Sequence, residues 1–279
     1  MGSFRDRLAA AGLGDHAEAL EALRRPAIRL LPEAVDESEI AIGASKLGGH
    51  PGLPDSFDWP EYDGVPQSFV AQIALSEVHP YDQEGVLPEA GLLSFFYDAR
   101  QNVWGFDPAE AGAWAVRYTR SSATLTRYEF PDALPEEGRF RARRLNPRAE
   151  ATAAPADSSH VAALGLAPKE AHAYAETIGS EDGLVHRVLG HPEPIQGDMQ
   201  LECQLVAHGL YCGDASGYED PRAQALEPGA TDWRLLLQID SEEDAGMMWG
   251  DSGRIYYWMT RDALAGRRWD EAHMILQCY

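Results

Sequence analysis

Leu189-Gly190-His191-Pro192, Leu235-Leu236-Leu237-Gln238-Ile239 and Gly253-Arg254-Ile255-Tyr256-Tyr257-Trp258-Met259 repeat an order met earlier in the chain. The earlier set is Leu47-Gly48-Gly49-His50-Pro51, Phe69-Val70-Ala71-Gln72-Ile73 and Gly91-Leu92-Leu93-Ser94-Phe95-Phe96-Tyr97. Each set holds a Gly-His-Pro turn, an apolar strand ending Gln-Ile and a Gly-started aromatic strand. Three matches in one order predict a duplicated β unit.

Around these units the pattern is mixed. Residues 3–25 keep helical spacing through Leu8, Leu13, Ala17, Leu20 and Leu23, with Ser3 as cap and Pro26 as stop. Ile28, Leu30 and Leu31 read as a short strand, and residues 43–67 as a long ordered loop plugged by Trp59. Residues 67–75, 91–98, 113–119, 124–130 and 139–145 read as strands between Gly, Pro and Asp breaks. Residues 147–160 read as a linker, Pro168 to Ile178 as a helix with Gly179 beyond its end, Leu201 to Leu205 as a buried strand, Thr260 to Leu264 as one helical turn, and His273 to Cys278 as a closing strand. The expected class is α+β: two related β-rich lobes with an N-terminal helical segment. The expected divisions are 1–44 (helical segment and first strand), 45–150 (first lobe), 151–180 (linker and helix) and 181–279 (second lobe), in one compact unit.

The chain has 279 residues, with 23 Lys+Arg against 45 Asp+Glu, a formal net charge of -22. That charge repels phosphate backbones and anionic lipid, so nucleic acid and membrane are not expected partners. The N-terminus does not read as a signal peptide, and no window reaches membrane-spanning length. Three cysteines in so long a chain do not make a disulfide framework. A cytoplasmic protein with free thiols is expected.

Trp233 through Ser241, Trp249-Gly250-Asp251-Ser252-Gly253 and Tyr256-Tyr257-Trp258 resemble the YwqG family, a bacterial domain of unknown function. Further similar segments are Lys46 to Pro51 with Trp59-Pro60, Gln72-Ile73, His186 through Gln196, and Leu276-Gln277-Cys278. The resemblance spans about residues 40–279. It implies a two-lobed α+β fold and supplies no established reaction. Relatives often stand beside polymorphic toxin genes, which implies an immunity or binding role with a toxin as partner.

Several constellations bear on chemistry. His50 and His191 occupy equivalent turns and could act as an acid–base pair across a cleft, although a turn histidine more often bonds a backbone carbonyl. Gln72 and Gln238 also correspond, and buried amides must be satisfied. Asp240, Glu242, Asp244 and Asp251 fall at positions 1, 3, 5 and 12 of a calcium-loop spacing, but Ala245 stands where that loop needs glycine. The plainer reading is an acidic hairpin with Asp251 capping a turn and Trp249 plugging the core. Cys203, His208 and Cys212 have spacing too irregular for a zinc site even with Asp214, and nothing local activates Cys278. Arg139, Arg141 and Arg143 alternate along one stretch, as for pairing with the chain's own carboxylates or with an acidic partner. No GxSxG elbow, Walker A loop, dinucleotide fingerprint or HExxH helix occurs. The expected function is therefore non-catalytic binding, possible cofactors being limited to calcium. The alternative is a small-molecule hydrolase using His50, His191 and Asp251 in a cleft between the lobes.

Overall fold

The computed structural model describes residues 2–121, 123–180 and 183–279. Among them ten strands form one antiparallel sheet: β1 (Arg25–Glu33), β2 (Lys46–Leu47), β3 (Ser68–Ala74), β4 (Leu92–Tyr97), β5 (Trp114–Thr119), β6 (Arg143–Thr152), β7 (His186–Val188), β8 (Trp233–Asp240), β9 (Arg254–Thr260) and β10 (His273–Gln277). The spatial order is β10-β9-β8-β7-β1-β6-β2-β3-β4-β5. The long β1–β6 pair, in register from Arg25↔Thr152 to Glu33↔Arg144, forms the middle. Outward from it the two sides run alike: a short strand, a Gln strand, an aromatic strand and a closing strand.

The two sides agree in detail. β3 carries a bulge between Phe69 and Ala71, three residues before Gln72. β8 carries one between Leu235 and Leu237, three residues before Gln238. A bulge re-aims side chains and bends its strand, so its placement is a geometric feature shared by both sides. The backbone N–H of Gly48 donates to Val70 O (2.9 Å), and that of Leu189 donates to Leu236 O (3.3 Å), so each turn ties into its bulge.

The sheet curls around one core. Ile28, Leu47, Ile73, Phe95, Leu145, Val188, Leu237, Ile255, Tyr257 and Met274 share its inner cluster. Phe95 and Tyr257 meet edge to face at 5.1 Å, and the Tyr257 hydroxyl donates to Phe96 O (3.1 Å), tying the two sides together across that core. The sheet's edges are brought together as well. Trp114 on β5 donates its indole N–H to Ala272 O (2.7 Å), and Leu276 N on β10 donates to Trp104 O (3.0 Å). Gly105, at φ +85°, permits this approach, because a Cβ there would lie 1.8 Å from Met274 O.

Helices and loops cover the outer faces. The N-terminal segment is two short helices, α1 (Phe4–Ala10) and α2 (Ala17–Ala22), packed with α3 (Pro168–Ile178) around Leu8, Leu20 and Tyr174. One continuous helix over 3–25 does not form, since the chain turns at Gly12 (φ +82°). Ser3 and Asp6 make a capping box on α1. The reading of 147–160 as a linker is corrected too. β6 runs on through Pro147 to Thr152. Proline is tolerated because β2 pairs only Arg143 and Arg144, leaving the far side of β6 without a strand partner at Pro147. Leu201–Leu205 is not a strand but part of helix α4 (Gln200–Ala207). Cys203 and the N-cap Met199 lie on Trp233, Leu235, Tyr256 and Trp258, while Leu205 and Val206 are buried in a neighbouring cluster with Leu210, Cys212 and Ala223. The strand expected over 124–130 shrinks to Thr126–Arg127. The strands over 67–75, 91–98 and 113–119, the helix at Pro168–Ile178, the turn after Thr260, now α5 (Arg261–Gly266), and the last strand lie within a residue or two of their expected places. The class is α+β. No helix among the described residues is long and apolar enough to cross a membrane.

Candidate functional site

The Gly-His-Pro turns are built on left-handed backbone: Gly48 and Gly49 have φ of +45° and +66°, Leu189 and Gly190 of +60° and +75°. A Cβ on Gly49 would strike Glu37, and one on Gly190 would strike Ala27. Both glycines therefore allow close packing on a neighbouring segment. Beside each turn a buried cation reaches back to it. Lys46 Nζ donates to His50 O (2.6 Å) and to Glu37 Oε1 (2.7 Å). Arg187 donates to His191 O (3.1 Å) and to Glu150 Oε2 (3.1 Å). Burial pulls the Lys46 ammonium down to about 8, against the opposing pull of Glu37.

The glutamines complete the turns. Gln72 Oε1 accepts from Gly52 N (2.8 Å) and its amide donates to Ala44 O (2.6 Å). Gln238 Oε1 accepts from Glu193 N (2.9 Å) and its amide donates to Val185 O (2.8 Å). Each amide spends both ends on backbone, so neither reaches for a ligand.

The two histidines do not share a pocket. His50 is half-buried between Glu37 (3.2 Å) and Glu129 (3.3 Å), its ring tilted against Phe130. The crevice beside it, lined by Lys46, Gln72 and Arg127, leaves no room for a water molecule. His191 is buried, with Nε2 2.7 Å from Leu23 O. Burial foremost, then the nearby Arg25, pulls its pKa down to about 3, so the ring is neutral and donates to that carbonyl.

The acidic hairpin is held by arginines. Asp240 is buried and meets Arg254 (3.1 Å) and the N–H of Val185 (3.0 Å). Glu242 is 2% exposed and lies 2.9 Å from Arg143 and 3.4 Å from His186, distances of an ion-paired cluster without in-line hydrogen bonds. Asp244 pairs with Arg143 (3.2 Å), while Arg141 donates to the carbonyls of Asp244 (2.6 Å) and Glu243 (2.8 Å). Asp251 is exposed, and its carbonyl accepts from Tyr279 N. The four carboxylates at calcium-loop spacing thus face different partners. Among the described residues no group of three or more His, Cys, Asp or Glu is placed to hold a metal ion.

The remaining singled-out residues serve packing. Trp249 is fully buried between Tyr97 (5.9 Å) and Phe140 (5.4 Å) and donates to Asp240 O (3.2 Å). Trp59, half-buried, donates to Gln67 O (2.9 Å) and packs on Phe96 and Tyr128 over the outer face of β3–β5. Cys203, Cys212 and Cys278 are buried free thiols. Burial pushes Cys203 well up and Cys212 up to about 11, away from the reactive thiolate.

A cavity of about 260 Å³ opens where residues 84–86 from one side of the sheet meet the other side. Arg25, Arg234 and Arg261 line it, with Glu84 as its carboxylate. The expectation of a cleft between the halves carried no residues of this set. The three arginines lie far apart in the chain, so no local pattern marks them.

The chain belongs to the family described as a domain of unknown function (DUF1963), whose model matches residues 45–278. No curated protein matches it. The match begins just before β2, so α1, α2 and β1 lie outside it, although β1 sits at the middle of the sheet.

Proposed function

We propose that this is a YwqG-like cytoplasmic binding protein without catalytic activity, built by internal duplication, that neutralises a basic partner such as a toxin. The observation that carries the non-catalytic reading is the separation of His50 and His191. One sits beside a crevice closed to water, and the other is buried, neutral and tied to Leu23 O. Gln72 and Gln238 are likewise spent on backbone. A general base needs reach to a substrate proton; the His191 ring is buried on Leu23 O, and His50 is held between Glu37 and Glu129, apart from it. The hydrolase alternative loses Asp251 as well, which joins neither histidine in the contacts described above. The duplication is supported by the shared strand order, the matched bulges and the paired cation-to-carbonyl locks. The partner's basic character follows from the net charge of -22, which steers a cationic surface inward.

The test is co-purification of the tagged full-length chain with the product of the adjacent gene. A complex that weakens steeply as salt rises, together with rescue of growth from that product's toxicity, is the expected outcome. Failure to capture it at low salt, or turnover of a small ester or amide lost in His50→Gln, overturns the reading.

A further inference from the structure

We propose that the cavity lined by Arg25, Arg234 and Arg261 binds a small organic anion, an oxyanion head on a short apolar body. The inference does not depend on the protein partner proposed above, because it concerns a different ligand at a different place.

The first observation is charge. In a chain with 45 acidic and 23 basic residues, this cavity gathers three guanidiniums against the single carboxylate of Glu84. The buried arginines elsewhere find acids: Arg29 and Arg187 have Glu150, and Arg254 has Asp240. Here they do not. Arg25 lies 2.7 Å from the ring nitrogen of His160 and makes no ion pair among the described residues. Arg234 makes none either, and its Nη1 is buried without a hydrogen-bond partner. Arg261 has Asp232 only at 4.0 Å. Like charges gathered without counter-charge destabilise a fold, and a buried guanidinium nitrogen left bare costs more than a neutral one. An oxyanion offers the lone pairs that Arg234 Nη1 lacks and the charge that Arg25 and Arg261 meet only weakly, and the fork geometry of arginine suits carboxylate and phosphate.

The second observation is the wall. Val86, Leu189, Leu235 and Leu264 make the rest of the lining apolar. A bare inorganic ion would leave that wall unfilled, whereas a ligand with an apolar body adds burial to charge pairing. A polyanion does not fit a cavity of about 260 Å³, and the chain's overall charge repels one.

The third observation is contrast within the sheet. Arg234 pairs with Met259 on β9 as Ser68 pairs with Tyr97 on β4. Around Ser68 the space is filled: a Cβ on Gly138 would lie 2.6 Å from Ser68 Oγ and 3.0 Å from Ala99. The same place is closed and uncharged on one side of the sheet, open and cationic on the other. The neutral state of His160, whose pKa is lowered by burial and then by these three arginines, agrees with its accepting from Arg25.

Calorimetric titration of the full chain with phenyl phosphate and with phenylacetate tests the proposal and separates a phosphate head from a carboxylate one. Inorganic phosphate and benzylamine serve as controls. Saturable binding of at least one aromatic anion is expected, about tenfold or more tighter than inorganic phosphate, with none for benzylamine. Arg234→Gln and Arg261→Gln should each weaken it about tenfold, Glu84→Gln should tighten it, and Arg222→Gln, exposed and paired with Asp220, should leave it unchanged. If Arg234→Gln fails to fold, Arg261→Gln and Glu84→Gln decide, since both alter exposed side chains. Binding of neither anion by about 10 mM, or binding indifferent to Arg261→Gln and Glu84→Gln, overturns the proposal. Co-purification with a basic partner would be unaffected by that failure.

Discussion

Lys46 and Arg187 stand at matching positions on either side of the β1–β6 pair, and each holds the carbonyl of the histidine four residues on. Each is also opposite a glutamine in the ladder, Lys46↔Gln72 and Arg187↔Gln238. Cation and amide together clamp the left-handed turn: one pins its carbonyl, the other pins the chain before and after it. The backbone of the turn is thus clamped in the same way on both sides of the sheet.

Removing one amide should therefore unlock a turn. Gln238→Leu leaves the N–H of Glu193 and the carbonyl of Val185 without their partner in a buried site. Two orphaned groups cost about 2–5 kcal/mol. Gln72→Leu should cost a similar amount through Gly52 and Ala44. Urea unfolding measures both, and a loss below about 1 kcal/mol would mean that water replaces the amide.

Trp249 gives a sharper number. Its ring is fully buried and its indole N–H is satisfied by Asp240 O. Trp249→Ala opens a cavity between Tyr97 and Phe140 and should cost about 3–5 kcal/mol. Trp249→Phe should recover part of that, since it refills volume while leaving the Asp240 carbonyl unpaired. Equal losses for both variants would show that the hydrogen bond, and not packing, sets the cost.

Much of this architecture is legible in sequence because its signals are local. β3, β4 and β5 are short apolar and aromatic runs between breakers, and α3 has proline at its start and Gly179 after its end. α4 misleads because Leu201, Cys203 and Leu205 fall on every second residue, a strand period, while the helix also buries Gln200, Gln204 and Val206, splitting its contacts between two clusters. β6 misleads because Pro147 and the alanines after it read as a linker, and only the missing neighbour on its far side makes proline tolerable. The site is less legible still. His50 and His191 are visible as a pair, yet their separation depends on tertiary contacts with Glu37 and Leu23. Arg25, Arg234 and Arg261 converge only through sheet topology, which no spacing encodes.

The acidic hairpin separates two expectations. If arginines satisfy its carboxylates, millimolar calcium should leave the melting temperature unchanged, because linkage needs a site in the folded state. Arg143→Met should instead be costly. It strips Glu242, 2% exposed, of its cation and leaves only His186 at 3.4 Å. Leaving a buried charge unpaired costs about 3–5 kcal/mol. A calcium-induced rise in melting temperature, abolished by Asp240→Ala, would show that the arginines give way to a cation.

Acid stability should be governed by two buried rings. His191 is pulled down to about 3 and His273 to about 4, in each case chiefly by burial, although the carbonyls of Leu23 and Gly105 that accept from them act in the opposite sense. In the unfolded chain both return to about 6.5. The unfolded state therefore binds more protons below that pH, and stability falls as pH falls. The contribution of the neutral rings is fully present above about 6.5 and is lost progressively down to about 4 for His273 and about 3 for His191. Each is on the order of 3–5 kcal/mol at the acid end. His273→Gln keeps a donor for Gly105 O without a titrating group. Its stability should be lower than that of the parent at pH 8, and the gap should narrow or reverse by pH 4.5. Urea unfolding at half-unit steps from pH 8 to 4 measures this, and parallel curves for parent and variant across that range would show that the buried ring takes no part in the acid response.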